Sequence, residues 1–243
     1  MTDQHGHTHR LDLEDASIRE WDATVVGADP ERGVVLDRSA FYPGGGGQPP
    51  DQGVLLWGGV RTRIVGTVKG DDLYLVPHEE DPVPPVGTAV RGALDDERRT
   101  QLMRTHSGLH VLTGVVFRDF GALVTGGNME PLSARMDFDL AEVPPDFKDR
   151  VAEAVNAEIR TDRRITVSTL PRAEAFAIPD IIRTATNLLP PDIEVVRIVD
   201  INGLDVQADG GTHVASTALI GRMEVVKMES KGRGFRRLRV RIV

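Results

Sequence analysis

Hydrophobic residues in the first 94 positions occur in short runs that predict β-strands. Glycine, proline and aspartate separate these runs, and no helical period connects them. Many short strands at this spacing are typical of a small barrel. The segments expected to form strands are Ala23–Val26, Gly33–Leu36, Val54–Leu56, Arg61–Val65, Leu73–Val76 and Ala89–Leu94. We therefore predict a β-barrel domain over residues 1–94.

The pattern changes at Asp95, where apolar residues begin to recur every three or four positions. This period predicts a helix over Asp95–Asp119 with one broad apolar face, capped by Asp95 or Asp96. The residues of that face are Leu102, Met103, Leu109, Leu112, Val115 and Val116. A second helix is expected from Pro144 to about Thr161.

Strand-like segments surround the two predicted helices. They are Ser133–Leu140, Arg164–Thr169, Glu194–Ile201, Ala218–Met228 and Phe235–Val243. The last segment alternates, with Leu238, Val240 and Ile242 on one face and arginines on the other. Residues 95–243 are therefore predicted to form an α+β domain, with helices packed on a mostly antiparallel sheet.

Composition narrows the class of protein. Hydrophobic residues make up 40% of the 243 positions, which suffices for a folded core. The chain contains no cysteine, which excludes disulfides, thiolate metal ligands and a cysteine nucleophile. The N-terminus is polar, and no apolar run approaches the ~18 residues of a spanning helix. We expect a cytoplasmic protein without membrane contact, in which His5, His7 and His9 lie in a solvated end.

Charge is distributed unevenly along the chain. The 29 basic and 37 acidic residues give a net charge of -8, which argues against a non-specific coat on nucleic acid. Residues 227–243 nevertheless carry seven basic side chains and one acidic side chain. This basic end indicates one localised anionic contact, although a solvated strand edge guarded by cations explains it equally well.

A histidine pair lies inside the first predicted helix. His106 and His110 are four residues apart, so their imidazoles share one helical face and can bind one metal ion. The zincin motif would require Glu directly after the first histidine, and Ser107 stands there instead. Considered alone, this spacing also arises by chance.

A second pair lies in the segment Gln207–His213. Asp209 and His213 are again four residues apart, and the glycines between them allow a tight turn with positive φ. An aspartate oxygen and a histidine nitrogen are ordinary zinc ligands. The alternative interpretation is a plain Asp-Gly-Gly hairpin turn with a surface histidine.

Four consecutive glycines, Gly44–Gly47, follow an aromatic and proline segment and precede Gln48. Such a run can bring backbone N–H groups close to phosphate. The segment is not a P-loop, because no Gly-Lys-Ser/Thr follows.

Taken together, the three segments resemble one family, the free-standing AlaX-type alanyl-tRNA editing hydrolases. The family carries a His-x-x-x-His helix, matched by His106–Leu112, and a Cys-Gly-Gly-Thr-His loop, matched with one departure by Asp209–His213. Its barrel carries an aromatic-Pro-x-Gly-Gly-Gly-Gln segment, matched by Phe41–Gln48. The resemblance covers nearly the whole chain, and the barrel indicates the longer form of the family.

The resemblance implies an ATP-independent hydrolase that deacylates mischarged tRNA(Ala). Serine is the main expected amino acid and glycine the second. A synthetase pocket built for alanine cannot strongly reject serine or glycine. A second, editing site is therefore needed to remove these amino acids from the tRNA. Two alternatives remain open: a non-catalytic tRNA-binding relic, and a metal-dependent hydrolase of small esters or amides.

The resemblance also implies a metal site. His106, His110, Asp209 and His213 would hold one Zn²⁺, whose open position takes either water or the substrate amino group. Asp209 stands where the family usually has cysteine. Its harder oxygen weakens the preference for zinc and makes other divalent ions more competitive.

Further roles are expected near this site and at the tRNA. Ser107, where the family often has threonine, would contact the seryl hydroxyl, or would instead bond back to a helix carbonyl. Gln207 would contact the substrate near the metal, or would satisfy backbone groups. The residues expected to contact the tRNA acceptor end are Gly44, Gly45, Gly46, Gly47, Gln48, Lys231, Arg233, Arg236 and Arg237.

Overall fold

The computed structural model describes residues 8–187 and 189–243. Within these ranges the chain forms two compact units, each built from two stretches rather than from the continuous domains 1–94 and 95–243. The barrel unit comprises residues 8–45 and Pro49–Thr100, and the sheet unit comprises Gly46–Gln48 and Gln101–Val243. His5 and His7 lie outside the described residues. No described helix has the length and apolar character that a membrane span requires.

The barrel unit contains the expected closed β-barrel, in which the strands follow the order β2-β3-β7-β6-β5-β8 and every neighbouring pair is antiparallel. All six predicted strand segments lie within strands of this unit. The elements are β1 (His9–Arg10), α1 (Leu11–Glu14), β2 (Glu20–Asp29), β3 (Gly33–Leu36), β4 (Arg38–Ser39), β5 (Gly53–Trp57), β6 (Val60–Lys69), β7 (Leu73–Pro77) and β8 (Ala89–Leu94).

A buried ion pair lies inside the barrel unit. Arg99 is fully buried, and its guanidinium donates to the Asp51 carboxylate and to the carbonyl oxygens of Ala16 and Ala40. A buried cation with this many acceptors is satisfied, whereas removal of Asp51 would leave it uncompensated. The pair therefore anchors the residues around Arg99 to the barrel.

The sheet unit contains helices and two antiparallel sheets, as expected for an α+β domain. One sheet has the order β14-β15-β10-β9 and the other the order β11-β12-β13. The elements are α2 (Asp96–Phe120, whose first turn belongs to the barrel unit), β9 (Val124–Glu130), β10 (Ser133–Asp139), α3 (Phe147–Arg160), β11 (Ile165–Pro171), α4 (Arg172–Ala177), β12 (Val195–Ile201), β13 (Asp205–Ala208), a 3-10 turn at Thr217–Ile220, β14 (Met223–Ser230) and β15 (Phe235–Ile242).

The four-stranded sheet is two-faced, as the alternation in its last strand predicted. Leu238, Val240 and Ile242 of β15 are buried, while Arg239 and Arg241 between them are exposed. The buried face packs closely on α2, because a Cβ added at Gly108 would lie 2.9 Å from Met223 Cε and 3.1 Å from Ile242 Cδ1. Glycine at this position thus lets the helix lie directly on the sheet.

Helix α2 differs from the one-sided helix that its sequence period predicted. Asp95 does cap it, since its carboxylate accepts the Arg98 N–H at 3.0 Å. From Thr105 to Val116, however, every residue is buried. Along this stretch the helix is enclosed on all sides. Its polar side chains there are buried and need hydrogen-bond partners within the protein.

Other elements also differ from the sequence expectation: β1, α1, β4 and α4 were not predicted, and α3 begins at Phe147 rather than Pro144. Strand β9 was missed because its Gly126-Gly127 pair weakens the strand pattern, and β13 is only four residues long. Strand β14 begins at Met223 rather than Ala218, since Thr217–Ile220 forms a 3-10 turn.

Candidate metal centre

Four side chains of the sheet unit come together at one point. His106 and His110 lie on successive turns of α2, and Asp209 and His213 lie on the loop that follows β13. One ligand atom from each residue lies within 4.8 Å of the others. The structure therefore brings together all four residues that the resemblance assigned to a metal.

In each of the three imidazoles, the Nε2 atom faces the Asp209 carboxylate. The Nε2 atoms of His106 and His110 lie 3.5 and 4.0 Å from Oδ1, and Nε2 of His213 lies 3.0 Å from Oδ2. Three nitrogens and one oxygen are an ordinary donor set for Zn²⁺.

The opposite ring nitrogens each face a side-chain oxygen. Nδ1 of His106 lies 2.9 Å from Gln48 Oε1, and Nδ1 of His213 lies 3.2 Å from Ser107 Oγ. Nδ1 of His110 lies 3.6 Å from Asp205 Oδ2, slightly beyond hydrogen-bond length. Metal-binding histidines characteristically use the second ring nitrogen in this way, so the donor set fits a divalent ion.

Burial controls the charge of these groups. Burial lowers the pKa of His106 well below its usual value and lowers that of His213 to about 4, against the opposing effect of Asp209. Burial also disfavours charged His110, but the Asp205 and Asp209 carboxylates outweigh it and raise its pKa. Two of the imidazoles are therefore neutral at pH 7, as metal binding requires.

Asp209 is held by its neighbours. Its N–H donates to the Arg197 carbonyl at 3.1 Å, and Arg197 Nη1 donates to the Asp209 carbonyl at 3.0 Å. The Gly211 N–H donates to the Asp209 carboxylate at 2.6 Å. The loop is consequently ordered with its carboxylate directed at the histidines.

The alternative interpretation of this loop, a plain hairpin turn with a surface histidine, is wrong, because His213 is buried. Neither Gly210 nor Gly211 has positive φ. Gly211 is required for space instead, since a Cβ there would lie 2.2 Å from Cε1 of the His106 ring. This glycine lets the loop lie against the imidazole.

Ser107 and Gln207 both contact the residues around the cluster. The buried Ser107 hydroxyl accepts the Val214 N–H at 3.1 Å in addition to its contact with His213. Gln207 Nε2 donates to Asp205 Oδ2 at 2.5 Å, and Gln207 also lines the adjoining cavity.

Two buried charged residues beside the cluster were missed by sequence reasoning, Asp205 and Arg197. Asp205 is buried and accepts from Arg183 at 3.1 Å as well as from Gln207. Arg197 is a charged residue inside an apolar strand run, Val195–Ile201. A charged residue in such a run indicates that a buried polar group pairs with it, although the sequence alone does not identify that group.

A cavity of about 870 Å³ opens beside the cluster within the sheet unit. This volume lies within the usual range for ligand sites and exceeds what a single seryl group needs. Its lining includes the glycines Gly46 and Gly47, the ligands His106, His110 and Asp209, the apolar side chains Leu109, Met129, Met136, Ile181, Ile182 and Leu189, and the polar side chains Thr113, Asn128, Arg183 and Gln207.

The glycine segment divides between the two units. Gly44, Gly45, Gly46 and Gly47 have φ values of 78°, 130°, 59° and 88°, which favour glycine at each position. Gly46 and Gly47 line the cavity, whereas the Gln48 side chain is buried in the cluster.

The basic residues near the C-terminus are not equally available. Arg237 makes two hydrogen bonds to the Asp137 carboxylate, at 2.6 and 2.7 Å. Lys231 and Arg233 are exposed in the turn between β14 and β15, and Arg236 is half-buried beside them. Much of the positive charge of β15 is thus neutralised within the sheet, since Arg239 and Arg241 also pair with glutamates.

Comparisons with known proteins identify the family of the chain. Residues 196–239 match the family described as the threonyl and alanyl tRNA synthetase second additional domain. The chain is 37% identical to the alanyl-tRNA editing protein AlaX-M of Saccharolobus solfataricus, covering 95% of this chain and 97% of that protein. It is 32% identical to the AlaX-M protein of Methanosarcina acetivorans, over 92% and 94% of the two chains. The alanine–tRNA ligase of Pyrococcus furiosus is 35% identical over 95% of this chain, which corresponds to 25% of the ligase.

Proposed function

Because the chain belongs to the AlaX-type family of alanyl-tRNA editing proteins, we propose that it deacylates mischarged tRNA(Ala). The observation that carries this proposal is the cluster of His106, His110, Asp209 and His213 beside a cavity large enough for an aminoacylated tRNA end. Seryl-tRNA(Ala) is the main substrate and glycyl-tRNA(Ala) the second. The reaction uses no ATP and takes place in the cytoplasm, where aminoacyl-tRNA is made and used.

The reaction adds water across an ester. The water oxygen bonds to the ester carbonyl carbon, the bond from that carbon to the ribose oxygen breaks, and the ribose oxygen takes up a proton. Free amino acid and intact tRNA result. A bound divalent ion supplies Lewis-acid polarisation for this chemistry.

The chain's own residues have separate roles in this proposal. Three imidazoles and the Asp209 carboxylate hold Zn²⁺, and the oxygen ligand admits other divalent ions more readily than a thiolate would. The cavity orients the aminoacyl end and limits access of water. Gln207 contacts the substrate from the cavity wall, since this residue lines the cavity together with His106 and His110.

The tRNA acceptor end is proposed to contact exposed parts of the glycine segment and the C-terminal turn. Gly45 and Gly46 are exposed, so their backbone groups are not shielded by side chains, whereas Gly44 is buried and contributes no such contact. Lys231, Arg233 and Arg236 supply positive charge for phosphates. Arg237 contributes less in this proposal, because Asp137 already occupies its guanidinium.

The proposal is tested by deacylation of seryl-, glycyl- and alanyl-tRNA(Ala) by the wild-type protein, with and without chelator, and by His106→Ala. We expect hydrolysis of the seryl and glycyl forms that is lost with chelator, restored by Zn²⁺ and absent in His106→Ala. His78→Ala, which removes a histidine of the barrel unit, serves as the matched control and should retain activity.

Other outcomes separate the alternatives. Background hydrolysis of all three substrates despite tRNA binding would indicate the non-catalytic relic. Hydrolysis of small esters or amides at rates equal to those with tRNA would indicate the small-molecule hydrolase.

A further inference from the structure

We propose that Gln48 is a positioning residue of the metal centre, which holds His106 in the orientation and tautomer that binds the ion. This inference rests on the proposed metal site and adds a role for the last residue of the glycine segment. The resemblance assigned Gln48 to the tRNA, whereas the structure buries its side chain, with 2% of the residue exposed.

The hydrogen bonds of Gln48 determine which way its amide points. Nε2 donates to the Thr212 hydroxyl at 2.9 Å, and Oε1 accepts the Thr212 N–H at 3.2 Å. If the amide were flipped, its N–H₂ group would face the backbone N–H of Thr212. Both groups are donors, so no hydrogen bond could form between them. The oxygen therefore faces His106.

The tautomer of His106 follows from this amide. Oε1 can only accept a hydrogen bond, so Nδ1 of His106, 2.9 Å away, must carry the proton. In the neutral ring the lone pair then lies on Nε2, the nitrogen that faces Asp209 and the other histidines. Gln48 thus orients His106 so that its unprotonated Nε2 is available to bind a metal.

The surroundings hold Gln48 itself in place. The Gly47 carbonyl accepts the Met129 N–H at 3.1 Å, which ties the segment to strand β9. Gly47 has φ 88°, and a Cβ there would lie 3.3 Å from the Gly127 carbonyl oxygen. The glycine segment therefore has a structural role in addition to any contact with tRNA, because its backbone conformation places the Gln48 side chain in the cluster.

The experiment compares metal affinity in the full-length protein. Dissociation constants for Zn²⁺ are measured by competition with a chromophoric chelator, and Co²⁺ absorption reports the ligand geometry. We expect Gln48→Leu to bind Zn²⁺ about 10–100-fold more weakly, the usual effect of losing such a partner. Gln48→Glu, which keeps an acceptor, should retain wild-type affinity and spectrum. Gln52→Leu in the barrel unit is the matched control and should change neither.

The results distinguish this inference from the proposed function. A wild-type protein that binds no metal would contradict the proposed metal site itself. A wild-type protein that binds metal, with Gln48→Leu equal to it in affinity and Co²⁺ spectrum, would overturn the role of Gln48 alone. If the leucine variant does not fold, Gln48→Met replaces it, and a Gln48→Glu variant as weak as Gln48→Met would also overturn the inference.

Discussion

The Asp209 carboxylate and the His213 imidazole lie four residues apart on one loop and contact each other at 3.0 Å. The same carboxylate lies within 4.0 Å of His106 and His110. An oxygen donor therefore occupies the position at which the resemblance implies a thiolate. The loop holds this oxygen donor in one cluster with all three histidines.

Asp209→Cys should shift the metal preference of the site toward zinc. A thiolate is a softer ligand than a carboxylate, and soft ligands favour Zn²⁺ over Mn²⁺. The measurement is the ratio of the dissociation constants for the two ions, with Asp149→Cys on α3 as a control for an added thiol. An unchanged ratio would show that Asp209 is not a ligand.

Ser107→Ala should weaken the metal site without changing amino-acid preference. The substitution leaves the Val214 N–H without its acceptor and removes the oxygen beside His213, at a cost of about 1–3 kcal/mol in unfolding free energy. Ser107→Thr, which keeps the hydroxyl, should restore stability and metal affinity. A selective loss of seryl over glycyl deacylation in Ser107→Ala would instead indicate that the hydroxyl contacts the substrate.

Asp205→Asn should lower metal affinity by about 10–100-fold. The carboxylate accepts from Arg183 and Gln207 and lies 3.6 Å from Nδ1 of His110, so the substitution removes a negative charge beside this metal ligand. Zn²⁺ titration of this variant is compared with Asp200→Asn on the neighbouring strand β12. Equal affinities of the two variants would contradict a role for Asp205.

Lys231→Gln combined with Arg233→Gln should weaken tRNA(Ala) binding. If each side chain neutralises one phosphate, the slope of log affinity against log salt should fall by about 2. Binding is measured across a salt series, and Arg61→Gln with Arg91→Gln in the barrel unit serves as the charge-matched control. A slope unchanged in the first variant would place the tRNA elsewhere.

The pair of Asp137 and Arg237 should make part of the stability depend on pH. The hydrogen bonds from Arg237 lower the pKa of Asp137 in the folded state, so the stabilisation is complete above the ordinary carboxyl range. It is lost as pH falls through the lowered pKa. Asp137→Asn should therefore cost up to about 1 kcal/mol at pH 7 and progressively less at acid pH. Urea unfolding at several pH values measures this, and a difference that does not shrink with acid would contradict it.

The fold was largely predictable because most of its signals are local. Alternation in Phe235–Val243 predicted a two-faced strand, and the Asp95 cap predicted the start of α2; both are confirmed. The burial of α2 on all sides was not predictable, because the period of its apolar residues describes one face only.

By itself, the sequence determined which residues can bind metal and that thiolate chemistry is absent. Spacing of four residues places His106 beside His110 on any helix, whatever surrounds it. Only the tertiary structure decided which nitrogens face the centre, since that depends on Gln48, Ser107 and Asp205, and Gln48 lies 58 positions from His106. Such contacts arise from chain packing over long sequence separations, and no local pattern encodes them.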